Sequence, residues 1–223
     1  MDQKLFFQAL GKYCSGVALV AVLVFVPAGT LRYPQGWLLM GTLFLPMLAA
    51  GIVMMAKAPD LLRKRLQMKE EQDQQKTVIL FSGLLFLAVF VLAGLGFRFQ
   101  WRMLPLWVSY LSAVVLLAGY ALFAEVLREN AYLSRTVEVQ KGQSVIDTGL
   151  YGIVRHPMYF STLLLFLSMP LVLGSGAGFL VMLLYFPIIA KRIENEEAVL
   201  AEGLAGYRDY QRRVRWRLIP WIW

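Results

Sequence analysis

The sequence predicts an all-α, polytopic integral membrane protein with about six transmembrane helices, the last two forming a helical hairpin, plus a cytoplasmic C-terminal helix. Three observations carry this. Of 223 residues, 59% are hydrophobic and only 16% charged, too apolar for a soluble domain of this size. Apolar stretches recur at about 20 residues, the length that crosses roughly 30 Å of hydrocarbon. The Lys and Arg residues fall between those stretches with a bias toward alternate connections.

Taken in order, four stretches are long enough to span: residues 12–29, 37–56, 77–97 and 105–127. The first follows Lys4 and Lys12, flanks that a cleaved signal peptide also has, and is read as an uncleaved span. A fifth apolar region, 158–190, is interrupted by Pro170 and then by Gly174, Ser175, Gly176 and Gly178. That punctuation predicts a hairpin of two short helices. Its second arm is expected to run on through Lys191 and Arg192 into a cytoplasmic helix.

Charge placement tests the count. With the N-terminus inside, all 22 Lys and Arg except Arg32, Arg98 and Arg102 lie on the cytoplasmic side, as the positive-inside rule requires. Trp37, Trp101, Trp107, Trp216, Trp221 and Trp223 sit at or near predicted boundaries, where interfacial anchors belong. Both termini are therefore expected in the cytoplasm. A basic chain with no targeting signal and no disulfide reads as a prokaryotic inner (cytoplasmic) membrane protein. The net charge of +8 does not predict nucleic-acid binding, because the cations flank apolar runs instead of forming a stripe. Cys14 stands alone, no Cys/His spacing suits a metal, and neither a protein partner nor a GxxxG dimer face is predicted.

The chain divides into an N-terminal four-helix transmembrane part, 1–128, and a C-terminal part, 129–223, where the chemistry-bearing residues lie. The segment Leu61–Lys76 is strongly charged and helix-prone, and is expected to be a solvated cytoplasmic connection. Two further polar segments, 129–157 and 191–223, emerge on the same side and are joined by the hairpin. Its short turn should bring their membrane ends together.

The first of these ends GLYGIVRHPMYFS, Gly149 to Ser161. Gly149 and Gly152 allow close backbone approach to a ligand, and Pro157 suits a first helical turn. Unpaired N–H groups at that helix start favour an anion. Read singly, Arg155 is equally explained by the positive-inside rule and His156 by capping of the helix. In the second segment Ile193, Glu197, Leu200, Leu204 and Tyr207 follow helical spacing and should share one inward face. Glu197 interrupts that apolar stripe, so it needs either an ion-pair partner such as Arg155 or Arg192, or a function.

Together these segments resemble the isoprenylcysteine carboxyl methyltransferase family and the related phospholipid N-methyltransferases. The pattern is G-x-Y-x-x-x-R-H-P-x-Y, here Gly149, Tyr151, Arg155, His156, Pro157 and Tyr159. After the hairpin come E-E-x-x-L (Glu196, Glu197, Leu200) and the pair Tyr207 and Tyr210. The likeness runs from Asn130 to the C-terminus, with Ser161 standing where many members have Gly.

The resemblance implies S-adenosylmethionine as cofactor in a cytoplasm-facing pocket, contacted by Gly149, Leu150, Tyr151, Gly152, His156, Pro157, Tyr159, Glu197 and Tyr207. It also implies that Arg155 and Glu196 handle the acceptor, a lipid or lipid-modified molecule entering from the bilayer. Carboxylate O-methylation and amine N-methylation both fit. Sterol reductases carry a similar R-H-P-x-Y stretch, which makes an NADPH-dependent membrane reductase the competing enzyme class. A non-enzymatic membrane scaffold is the third.

Overall fold

The computed structural model describes residues 3–66, 73–130, 132–133 and 139–223, and among them every regular element is helical. In chain order these are α1 (Gln3–Ala28), α2 (Pro34–Lys57), α3 (Pro59–Leu66), α4 (Asp73–Arg98) and α5 (Leu106–Glu129). A 3-10 turn (Gly149–Gly152) precedes α6 (Pro157–Val172), α7 (Gly176–Met182), α8 (Tyr185–Gly203) and α9 (Tyr207–Arg213). Proline opens α2, α3 and α6, where its missing N–H needs no partner.

Among the described residues five segments are long and apolar enough to cross a membrane: Gln3–Ala28, Pro34–Lys57, Val78–Arg98, Leu106–Glu129 and Gly176–Gly203; Pro157–Val172 is a shorter apolar helix. Large apolar side chains such as Val26, Leu45, Trp107 and Leu180 lie exposed on these helices. Helices apolar on all sides belong in lipid, where such exposure carries no hydrophobic penalty.

The helices pack closely where glycine allows it. A Cβ on Gly94 would sit 2.7 Å from the Val24 carbonyl, and one on Gly119 would sit 3.1 Å from Leu165. Thus α1 crosses α4, and α5 crosses α6, with little between their backbones. Val24, Phe25, Tyr33, Leu39, Phe90, Leu116 and Val172 form the central core.

At one end of the bundle three connections meet. The Leu104 N–H donates to the Gly174 carbonyl at 2.9 Å, the Tyr33 hydroxyl donates to the Leu173 carbonyl, and Arg98 lies against Gly29. Between α6 and α7, Gly174 is left-handed (φ +71°) and the Ser175 hydroxyl accepts the Gly178 N–H at 3.0 Å. The Pro170–Gly178 punctuation therefore lies at a helix break.

The helix-prone segment Leu61–Lys76 is helical where it is described: α3 covers Pro59–Leu66, α4 begins at Asp73, and Arg65 lies above the Phe123 ring at 5.3 Å. Residues 67–72 of that segment lie outside the described residues. The stripe from Ile193 to Tyr207 is not one helix face. Leu204 is extended (φ −109°, ψ 113°) and Gly206 is left-handed (φ +81°), so α9 takes a new direction. Ile193, Glu197, Leu204 and Tyr207 are nevertheless all buried.

Candidate active site

The site lies at the opposite end of the bundle from the Gly174 connection, where the start of α6, the middle of α8 and the C-terminal tail converge. Gly149 begins it. Its φ of +52° favours glycine, and a Cβ there would fall 1.4 Å from Glu129 Oε1. Glu129, in the last turn of α5, instead accepts the Leu150 N–H at 3.1 Å. The following Tyr151 is buried. Its hydroxyl accepts from Asn130 Nδ2 at 2.9 Å, and its carbonyl accepts the Tyr210 hydroxyl at 2.7 Å. Thus α5, the 3-10 turn and α9 are bound into one wall.

Arg155 and His156 pair with the tail through their backbone. The Arg155 N–H donates to the Trp216 carbonyl at 2.9 Å and the His156 N–H to the Arg217 carbonyl at 2.8 Å. The Arg155 guanidinium turns inward: Nε donates to Glu197 Oε1 at 2.7 Å, and Nη1 to the Val214 and Arg215 carbonyls at 2.7 and 2.8 Å. His156 Nε2 lies 3.1 Å from the same Glu197 oxygen, and Arg217 Nε donates to Glu197 Oε2 at 2.9 Å. An ionised carboxylate only accepts, so the shared geometry assigns the proton to Nε2 of His156. Glu197 is a buried hub joining α8, the start of α6 and the tail.

Glu196 is one residue earlier, about 100° around the helix, and faces elsewhere. Its carboxylate accepts from the Tyr159 hydroxyl, which in turn accepts from Arg192 Nε at 3.0 Å. This chain borders a cavity of about 100 Å³ whose far wall includes Asn130, Tyr132, Gln143 and Ser144, with Leu133, Val145, Ile146, Leu200 and Leu204 supplying apolar surface. Tyr207 also lines it, and its buried hydroxyl has no hydrogen-bond partner among the described residues. Burial first, and the nearby Glu197 and Glu196 charges second, push the Tyr207 phenol well above its ordinary value. It is therefore a neutral O–H on a residue that lines the cavity, an arrangement in which a ligand would complete the bond.

Of the residues singled out from the sequence, Tyr151, Arg155, His156, Tyr159, Glu196 and Tyr207 line the cavity. Gly149, Leu150, Gly152, Pro157 and Glu197 do not; they shape or brace its walls. Arg192, named from the sequence only as an ion-pair partner for Glu197, instead joins the cavity lining through Tyr159 beside Glu196, and its spacing of four from Glu196 on one helix is a legible signal for that coupling. The role of the tail was missed, because backbone pairing leaves no side-chain signature.

Comparison with known proteins follows the same residues. Residues 110–202 match the isoprenylcysteine carboxyl methyltransferase (ICMT) family. The matched region runs from α5 into the last turn of α8, so it contains the Arg-His-Pro start and both glutamates but stops before Tyr207 and the tail. This is the family that the motifs resemble. Among characterised relatives, the Delta(14)-sterol reductase of Methylotuvimicrobium alcaliphilum is 25% identical over 135 residues, 54% of this chain and 32% of the reductase. Methanethiol S-methyltransferase 2 of Bradyrhizobium diazoefficiens is 29% identical over 161 residues, 63% of this chain and 58% of that enzyme. The chain thus spans less than two thirds of the length of either. A solved structure of the eukaryotic intramembrane Ras methyltransferase ICMT aligns with 99% of this chain and 85% of that one, at a TM-score of 0.49 and 16% identity.

Proposed function

We propose that this chain is an integral-membrane methyltransferase that uses S-adenosylmethionine and acts on a lipidic acceptor delivered from the bilayer. The observation that carries the reading is the cavity itself. Its lining brings together a carboxylate, phenol and guanidinium in series (Glu196, Tyr159, Arg192) and Tyr207, whose hydroxyl has no partner among the described residues. The ICMT-family match over 110–202 and the methanethiol S-methyltransferase relative support methyl transfer.

The residues fit such a cofactor. Its cationic sulfonium suits a cavity bordered by Glu196, and its polar ends suit Asn130, Gln143, Ser144 and the Tyr207 hydroxyl. The cavity is smaller than the roughly 300–1,000 Å³ of complete ligand pockets, so an elongated molecule would extend through its mouth. When bound, the sulfonium supplies an activated methyl group that needs only in-line approach of a nucleophile.

The protein's part is positioning and charge control. Arg192, steered by Tyr159, would orient an acidic acceptor head group by charge-assisted hydrogen bonding. For an acceptor that loses a proton, such as a thiol or amine, Glu196 would receive it, assisted by Tyr159. Arg155 spends Nε and Nη1 within the protein, so its role in this reading is to brace the site and not to grip the acceptor carboxylate. The N-terminal part, 1–128, would provide lateral access for the acceptor, and 129–223 the chemistry.

We read six crossings, with the short α6 and the α7–α8 segment as the closing hairpin. Both termini and the cavity would then face the cytoplasm of a prokaryotic inner membrane. The separation of the Gly174 connection from the site end of the bundle supports alternating crossings.

The sterol reductase relative favours a second reading, NADPH-dependent reduction. Glu196 at the cavity opposes it, since a dinucleotide brings several phosphates toward a carboxylate. Isothermal titration of the protein in lipid nanodiscs with S-adenosylmethionine and, separately, NADPH decides between them. Binding of the sulfonium cofactor, and transfer of its labelled methyl to a lipid extract, is expected. Binding of NADPH alone would overturn the proposal in favour of reduction.

A further inference from the structure

After α9 the chain runs as a strap and ends in a hook. Val214, Arg215, Trp216 and Arg217 are the strap: their carbonyls accept from Arg155 Nη1 and from the backbone N–H groups of Arg155 and His156. The Arg217 side chain adds the bond to Glu197 at 2.9 Å. The hook begins at Leu218. The Leu218 and Ile219 N–H groups donate to the Trp223 carbonyl at 2.9 and 3.2 Å, and the Arg217 guanidinium lies 5.2 Å from the Trp223 ring centre. Trp221 at the bend is left-handed (φ +64°), which non-glycine residues seldom are.

The hook's position relative to the spans says what surrounds it. Leu218 is buried in one cluster with Leu85, Val89, Leu163, Met182 and Ile189. Leu163 lies six residues inside α6 from its site-facing end, about 9 Å at helical rise, and Leu85 lies twelve residues inside α4, about 18 Å, within the apolar span that starts at Val78. The chain therefore dips from the site back beside the apolar spans. At its tip Trp221 and Ile222 are 85% and 75% exposed. Arg212, Arg213 and Arg215 precede the dip as exposed cations. Cations followed by an inserted tryptophan match the order of a bilayer surface, head group before hydrocarbon edge.

We propose that Trp221 and Ile222 insert into the lipid leaflet on the site side, and that this insertion holds the strap against Arg155 and His156. The partner is a bilayer carrying anionic head groups. The cavity's walls are then set partly by lipid: leaving the membrane loosens the hook, the strap follows, and the Glu197 hub loses Arg217. This rests on the membrane reading of the chain and not on which reaction the cavity performs.

The test uses the full chain in nanodiscs of mixed zwitterionic and anionic lipid. In a Cys14→Ser background, Trp221→Cys is labelled with an environment-sensitive fluorophore and challenged with nitroxide-bearing lipid and with aqueous iodide. Quenching by the lipid nitroxide with protection from iodide is expected. Quenching mainly by iodide, or protection from both as under a protein partner or second copy, would overturn insertion. In the second arm, hydrogen exchange is read at the Arg155 and His156 amides. Trp221→Ser with Ile222→Ser should accelerate their exchange at least tenfold, with helix content unchanged by circular dichroism. If that double variant does not fold, Ile222→Ser alone is used, with a smaller acceleration in the same direction. Unchanged exchange in the folded variant would show the hook to be passive. Neither arm measures methyl transfer, so failure of the proposed reaction would leave these results readable.

Discussion

Arg217 Nε and Arg155 Nε grip opposite oxygens of the Glu197 carboxylate, at 2.9 and 2.7 Å. One reaches it from the tail and the other from the start of α6. With His156 at 3.1 Å, a single buried carboxylate holds three chain segments in register.

Glu197→Ala leaves those donors without their acceptor in a buried setting, and breaking a buried ion pair this way costs about 3–5 kcal/mol. Glu197→Gln keeps one acceptor and should cost less. Thermal denaturation in detergent checks both. Because Glu197 does not line the cavity, any loss of cofactor affinity in the Gln variant should track its loss of stability.

Tyr207→Phe should move two quantities in opposite directions. It removes a buried hydroxyl that has no partner among the described residues, so the ligand-free protein should be equally or more stable, by up to about 1–3 kcal/mol. Cofactor affinity should fall by about fivefold to tenfold, one neutral hydrogen bond. Paired melting curves with and without S-adenosylmethionine test the split.

Glu196→Gln and Tyr159→Phe disturb the carboxylate–phenol–guanidinium series. Turnover by the Gln variant should fall by about a hundredfold or more if Glu196 takes a proton. Tyr159→Phe, which only releases Arg192 and Glu196 from their positions, should lose less. Single-turnover transfer of labelled methyl separates these losses from changes in binding.

Gly149→Ala meets a left-handed backbone and a Cβ position already filled by Glu129. The left-handed conformation alone costs about 1–2 kcal/mol, and the collision should displace the turn. Weaker cofactor binding in a folded protein is expected by calorimetry.

Alkaline pH offers a test without mutation. Burial raises the Tyr151, Tyr207 and Tyr210 phenols in the folded protein. Groups whose folded value lies above the unfolded one favour folding fully below the unfolded value, near pH 10 for tyrosine. Stability should thus be insensitive to these phenols up to about pH 10 and decline above it as the unfolded chain ionises first. Melting temperatures across pH 8–11 report the sign.

Much of this was legible in the sequence because it rests on one-dimensional signals. Apolar length gave the spans, and Pro170, Gly174 and Gly178 gave the break between α6 and α7. The Arg155–Glu197 contact follows from two polar segments joined by a short apolar detour. Other features depend on rotation and return of the chain. Adjacent glutamates look alike in sequence, yet the 100° step sends Glu196 to the cavity and Glu197 to the hub. The bend at Leu204–Gly206 broke a stripe that spacing alone drew as continuous. The strap binds mainly through carbonyls, which every residue has.

The contact between Glu129 and Gly149 binds the Gly149–Gly152 turn to the last turn of α5, twenty residues earlier in the chain. Descendants of this chain cannot vary those two positions independently: a bulkier residue at 149 requires a shorter one at 129, which would strip the Leu150 amide of its acceptor. Chimaeras that exchange the loop alone between relatives should therefore fail more often than those that carry the end of α5 along with it.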